Sequence, residues 1–252
     1  MPWIVEKEYN VKEEVKIHLL MKKEDIKEEL LSSGKICVVF DLLLATTTIT
    51  AALHFGAKAV IPVMDEETAK KEAENRSDCV LVGEFEGRTI NGFLDPNPVG
   101  LRNKVENKTV ILSTTNGTVA IHKSMKANKV YACSLLNGEK VAEKVLLDRT
   151  DETIVLVCSG SSGQFCLEDF YGAGYFIESL VKQQESIQLT DAARAAHLFY
   201  KAYEDNAINT LMYSKVVEML DVKGYREVID FVSQKGVYSV VPILQNTELK
   251  KA

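Results

Sequence analysis

Cys37–Ile49 reads CVVFDLLLATTTI. An apolar, β-branched run stops at an acid, Asp41. Three leucines follow, and then threonines that open a helical pattern ending at Gly56, a glycine suited to the position after a helix. A strand, an acid at its end and a helix directly behind it make the first half of a βαβ unit. No basic residue adjoins the acid, so the stretch poses a question as well as a fold: what does Asp41 face?

The same alternation runs through the first two thirds of the chain. Strand-like runs fall at 15–21, 36–40, 59–63, 79–84, 109–114, 129–133 and 153–159. Helical runs stand between most of them. DEETAKKEAEN begins with Asp65 as an N-cap, with Glu66 and Glu67 in the first turn. NGEKVAEKVLLD puts Val141, Val145 and Leu146 on one face. Several strands are apolar at nearly every position, as expected when helices cover both faces of a parallel sheet. The expected architecture is a single α/β domain over 1–252. It is a three-layer α/β/α sandwich around a mostly parallel sheet, with right-handed crossovers. Residues 1–14 read as an N-terminal extension. After about residue 165 the pattern becomes helical, and only VYSVVPIL (237–244) reads as one last strand. The charged run KKEDIKEEL (22–30) reads as a solvated helix face.

The chain has 252 residues and a formal net charge of −6, with no basic tract or stripe. That argues against a nucleic-acid partner. The opening MPWIVEKEYN has no apolar core of signal-peptide length, and no run of 18 apolar residues occurs. The expected location is therefore cytoplasmic, without a membrane. Five cysteines, an odd number with no CxxC pair, read as reduced thiols. Homo-oligomerisation is left open.

In an open α/β sheet, ligands bind beyond the carboxyl ends of the strands. Three strand-end turns there are rich in Thr, Ser, Asn and Gly and lead towards helices. They carry Thr46 and Thr47, then Thr115, Asn116, Gly117 and Thr118, then Ser161 and Gly163. Such turns suit an anionic small-molecule substrate, although each is also ordinary capping chemistry. Asp41 and Glu84 end strands, and Glu168 and Asp169 follow the third turn. Four grouped carboxylates suit Mg²⁺, which takes oxygen ligands in an octahedral shell. Other templates fail: there is no GxxxxGK[ST], no GxGxxG after the first strand, no GxSxG, and the four histidines are scattered.

Four segments in order carry a resemblance: VVFDLLLATTTI, GEFEGRTINGF, STTNGT and SGSSGQFCLEDFYGAG. Together they are similar to the 2-phosphosulfolactate phosphatase family over roughly residues 15–245. The resemblance implies an α/β/α sandwich and a Mg²⁺-dependent phosphatase. Such an enzyme converts 2-phospho-3-sulfolactate to sulfolactate, with Asp41 as metal ligand or general acid–base and Glu84 as its catalytic companion. It also exposes departures. Leu44, Phe85 and Val119 stand where the family carries arginines. Leu94 stands for an acid and Pro98 for a serine. A substrate bearing a phosphate, a sulfonate and a carboxylate needs cations. The implied activity is therefore a weak one. The alternatives are a hydrolase or lyase with a less anionic, partly apolar substrate, and a non-catalytic ligand-binding relative.

Overall fold

A computed structural model describes residues 14–222 and 224–252. The proposed extension over residues 1–14 therefore lies outside the described residues, apart from Glu14. Eleven strands are arranged as β5-β4-β6-β3-β11-β10-β7-β2-β8-β1-β9. They are β1 (Val15–Leu20), β2 (Lys35–Phe40), β3 (Ala59–Val63), β4 (Cys79–Phe85), β5 (Arg88–Thr89), β6 (Thr109–Ser113), β7 (Lys129–Cys133), β8 (Thr153–Cys158), β9 (Ile187–Leu189), β10 (Pro242–Gln245) and β11 (Glu248–Lys251). Two blocks of parallel strands result, β7-β2-β8-β1-β9 and β4-β6-β3. The mostly parallel sheet with helices around it agrees with the α/β sandwich expected.

The helices are α1 (Ala45–His54), α2 (Glu66–Glu74), α3 (Gly117–Lys123), α4 (Gly138–Asp148), α5 (Leu167–Val181), α6 (Asp191–Ala202), α7 (Ala207–Leu211), α8 (Lys215–Val222) and α9 (Arg226–Val232). Side chains of β2 alternate between two cores, as a strand's period of two requires. Ile36, Val38 and Phe40 join Tyr171, Phe176 and Leu180 of α5 on one face. Cys37 and Val39 join Ala45, Ile49 and Leu53 of α1 on the other. This second core also holds Val60, Val82, Val110 and Leu112 from the other block. Thus α1 and α3 are packed against the inner faces of both blocks. Each also crosses between them: α1 leaves β2 and leads to β3, and α3 leaves β6 and leads to β7. A third, smaller core (Ile61, Val63, Ile111, Ile90, Phe93) lies under Ala69 of α2.

The expected single last strand is instead a hairpin. Residues 237–241 are irregular, and β10 pairs antiparallel with β11 around Asn246, whose φ is +57°. The hairpin joins the two blocks through one residue pair on each side, Ile243 with Tyr131 and Leu249 with Val60. The KKEDIKEEL run also departs from expectation. It forms two short 3₁₀ turns, Lys23–Asp25 and Glu28–Leu30, and buries Lys23 and Ile26, with Leu31 buried just beyond it. Within the helical C-terminal third, α7 and α8 are separate helices, because the Ser214 hydroxyl accepts from the backbone N–H of Val216 at 3.1 Å. Two local readings hold: Asp65 Oδ1 accepts from Thr68 N–H at 2.7 Å, and Gly56 has φ +94°. All five cysteines are free thiols.

Candidate active site

Strands from both blocks end at one cavity of about 500 Å³. Asp41 comes from the end of β2, Glu84 from β4, Thr114, Thr115 and Asn116 from the end of β6, and Ser161 and Ser162 from beyond β8. Leu43, Leu44 and Pro96 line a second side, and Val216, Met219 and Leu220 of α8 a third.

The β2–α1 and β6–α3 turns are built by the same clasp. The Thr46 hydroxyl donates to the Asp41 carbonyl at 2.9 Å and accepts from its N–H at 3.0 Å. The Thr118 hydroxyl does the same for Thr114, at 2.9 and 3.1 Å. The Thr47 hydroxyl donates to the Leu42 carbonyl at 2.9 Å. All three threonines are fully buried. Thr46, Thr47 and Thr118, expected to meet substrate, are instead spent on loop backbone. Gly117 is not on the cavity wall either. A Cβ there would overlap the Cβ of Ala45 and lie 2.5 Å from Asp41 Oδ2. The glycine allows α3 to abut Asp41. Gly117→Ala should therefore cost about 1–3 kcal/mol of stability, as overpacking does, measured as a fall in the urea midpoint. An unchanged midpoint would mean that the contact relaxes freely.

The third turn is also a different object from the one expected. Ser162 (φ +50°) and Gly163 (φ +71°) form a two-residue reverse turn closed by Ser161 N–H to the Gln164 carbonyl at 3.0 Å. Both central residues have positive φ, as in a type I′ turn. Ser161 faces the cavity, whereas Gly163 offers its carbonyl to Lys22 Nζ at 2.9 Å.

The carboxylates divide into two kinds. Asp169 Oδ1 accepts from Leu42 N–H at 3.0 Å and Oδ2 from Gly160 N–H at 3.1 Å, so it ties two strand-end loops together. Burial, with Glu168 and Asp41 nearby, holds its pKa well above the ordinary range. Glu168 accepts from the Ser214 hydroxyl at 2.6 Å and thereby anchors the start of α8. Its pKa is also raised, by burial first. These two acids carry structure. Asp41 and Glu84 face the cavity. Glu84 accepts from Thr115 N–H at 2.7 Å and Gly87 N–H at 2.7 Å, which fixes its carboxylate. Asp41 is 6% exposed and accepts only a long bond from Ala45 N–H, at 3.3 Å. Burial first, and then the Glu84 charge, push its carboxyl up to about 7.

No three carboxylate, imidazole or thiolate side chains are grouped as a metal cluster among the described residues. The set of four expected from sequence is therefore not assembled: Asp41 and Glu84 line the cavity, whereas Glu168 and Asp169 do not. The remaining set is the two carboxylates that line the cavity, Asp41 and Glu84, an all-oxygen pair; the Thr115 hydroxyl is taken by Glu84 and by Glu86 N–H, and Asn116 Oδ1 by Lys23. The pair fits a Mg²⁺ ion, which typically takes one or two carboxylates and completes its shell with water and substrate phosphate.

Sequence reading missed a cation. Lys23 is 8% exposed, and its Nζ donates to Asn116 Oδ1 at 2.8 Å and pairs with Glu24 at 3.0 Å. Its charge also acts on Asp41, favouring the carboxylate. Only its position gives a signal: it lies just past the end of β1. Arg88 and Arg102 do not line the cavity. Arg102 lies over the Phe55 ring, 5.2 Å from its centroid, and Arg88 is exposed on the short edge strand. Lys23→Met should weaken kcat/KM about tenfold, the scale of a charged hydrogen bond. It should also move the lower limb of the pH–rate profile upward, because Asp41 loses a favourable charge. A profile that keeps its position would mean Lys23 only packs.

Comparison with known proteins follows this geometry. The model of the 2-phosphosulpholactate phosphatase family matches residues 20–247. A probable 2-phosphosulfolactate phosphatase of Clostridium acetobutylicum is 37% identical over 238 residues, covering 93% of this chain and 100% of that protein. One from Clostridium perfringens is 38% identical over 244 residues, covering 94% and 96%. The chain belongs to the 2-phosphosulfolactate phosphatase family. No helix among the described residues is long and apolar enough to cross a membrane.

Proposed function

We propose that this chain is a Mg²⁺-dependent phosphomonoesterase that retains the family reaction, 2-phosphosulfolactate to sulfolactate and phosphate, only weakly. The observation that carries the proposal is the pairing of Asp41 and Glu84 on one wall of a partly open cavity, inside a chain of this family. Bound Mg²⁺ would neutralise phosphate charge and polarise the P–O bonds. Asp41 and Glu84 would hold it, with Thr115 and Asn116 beside them.

Hydrolysis requires one new P–O bond from water and cleavage of the ester P–O bond. The water proton must leave, and the departing alkoxide must gain one. Burial raises the pKa of the Asp41 carboxyl, so protons and Mg²⁺ would compete for it, and the ionised form is the one that would hold the metal; water in the cavity would carry the protons. Lys23 keeps part of that group ionised and fixes Asn116 against the cavity. Glu84 is held rigid by two backbone N–H groups and cannot swing away.

The weakness follows from the walls. Among the described residues no lysine or arginine lines the cavity, and three of its lining residues, Asp41, Glu84 and Glu86, are acids. Phosphate release from 2-phosphosulfolactate, assayed with Mg²⁺ and with a chelator, tests the proposal. Metal-dependent release at a low rate is expected. Equal release with and without metal would refute the role given to Asp41 and Glu84.

A further inference from the structure

We infer that the cavity is built for a phosphomonoester whose alcohol portion is apolar and carries no second anionic group. The inference rests on the phosphatase reading above and concerns what that same site selects.

The cavity has two chemically distinct walls. One holds Asp41 and Glu84, where a metal-bound phosphate would sit. The other is apolar: Leu44 at the start of α1, and Val216, Met219 and Leu220 on one side of α8. The spacing of these last three, at i, i+3 and i+4, presents them together on one helix face. Leu220 is buried and Met219 is 44% exposed, so the wall runs from the interior to the cavity mouth. A carboxylate or sulfonate laid against it would be desolvated with no donor to receive it, at a heavy cost. An alkyl chain laid there loses only its contact with water.

The wall is also fixed in place. The Ser214 hydroxyl accepts from Val216 N–H at 3.1 Å, and it donates to Glu168 at 2.6 Å. Tyr225, just past α8, donates its hydroxyl to Asp95 at 3.1 Å. The α8 segment is therefore tied at one end to the start of α5 and at the other to the loop between β5 and β6. The volume, about 500 Å³, exceeds what a three-carbon phosphate ester needs and leaves room for a longer alcohol.

The test is a set of secondary-alcohol esters in which the two alkyl members share the same leaving-group chemistry, while the more acidic alcohol of 2-phosphosulfolactate would by itself favour its cleavage. Phosphate release with Mg²⁺ is measured for propan-2-yl phosphate, hexan-2-yl phosphate and 2-phosphosulfolactate. Expected is a kcat/KM about tenfold or more higher for the hexyl ester than for the propyl ester, on the scale by which apolar pockets discriminate, with 2-phosphosulfolactate lowest. Met219→Glu, at a half-exposed position that tolerates a charge, should reduce the hexyl rate more than the propyl rate. Its folding is checked by circular dichroism, and Val216→Asp serves as the second variant. Fastest turnover of 2-phosphosulfolactate, or no gain with chain length, overturns the inference and leaves the phosphatase reading intact. No phosphate from any ester overturns the phosphatase reading and the inference with it.

Discussion

The unmodified protein is expected to hydrolyse 2-phosphosulfolactate with kcat/KM of about 10 M⁻¹s⁻¹ or less, three orders of magnitude under the roughly 10⁴ M⁻¹s⁻¹ of a dedicated enzyme. A charge-assisted hydrogen bond contributes about 1.5–3 kcal/mol. Three missing ones amount to roughly 4–9 kcal/mol, or three to six powers of ten. The low end is chosen because Lys23, buried beside Asn116, supplies one cation near the phosphate wall. The structure also ranks the three substituted positions. Leu44 lines the main cavity. Phe85 is 64% exposed and lines an adjoining hollow that shares Glu84, Thr114 and Thr115. Val119 sits in the first turn of α3 and lines neither. Leu44→Arg should therefore give the largest single gain, about tenfold or more, and the triple change to arginine should exceed the product of the single gains because the three charges act on one ligand. Equal gains at all three positions would contradict this ranking. An arginine at 44 without a bound anion is an unpaired charge at the cavity wall, so a fall in stability should accompany the gain.

Asp41→Asn should separate activity from stability. Phosphate release should fall about 10³-fold or more, since one of the two carboxylates that would hold the metal is lost. The metal-free protein should become more stable near pH 8. The sign follows from the raised pKa. Folded Asp41 binds its proton more tightly than the unfolded carboxyl, with a pKa of about 7 against an ordinary 3.8. Its neutral form suits the folded state below about pH 4, and that advantage is lost as pH rises through about 7. A shift of this size corresponds to about 4 kcal/mol as an upper bound, at about 1.4 kcal/mol per pH unit. Asparagine removes the ionisation while keeping an oxygen for Ala45 N–H. Urea midpoints of both proteins in chelator, from pH 5 to 8.5, should diverge as pH rises. Parallel curves would mean that Asp41 is solvated rather than buried. Adding Mg²⁺ should narrow the gap.

Much of this was legible because strand ends announce themselves. Asp41 and Glu84 stood out as acids after apolar runs, and a parallel sheet gathers such ends. The threonines misled for a physical reason. A hydroxyl beside a strand–helix turn can meet a ligand or clasp its own backbone, and composition does not distinguish the two. Thr46 and Thr118 clasp. Gly117 looked like room for an anion, and it is room for Asp41. Lys23 was hidden inside a charged run whose alternation of signs reads as a solvated face, yet Ile26 and Leu31 pull that run inward. The β10–β11 hairpin was hidden because ELKK carries only one apolar residue, Leu249, and that residue is the one that pairs with β3. The apolar wall of α8 was visible as helix periodicity alone. Its partner became apparent only when Ser214 and Glu168 were seen to tie it across the cavity.

The central claim is that the Asp41–Glu84 wall hydrolyses phosphomonoesters with Mg²⁺. Its most direct test is continuous phosphate release from hexan-2-yl phosphate by the unmodified protein and by Glu84→Gln, each with Mg²⁺ and with chelator. The account predicts release that requires Mg²⁺ and falls at least about 100-fold in Glu84→Gln. Release that persists in chelator at the same rate, or that Glu84→Gln leaves unchanged, would contradict it.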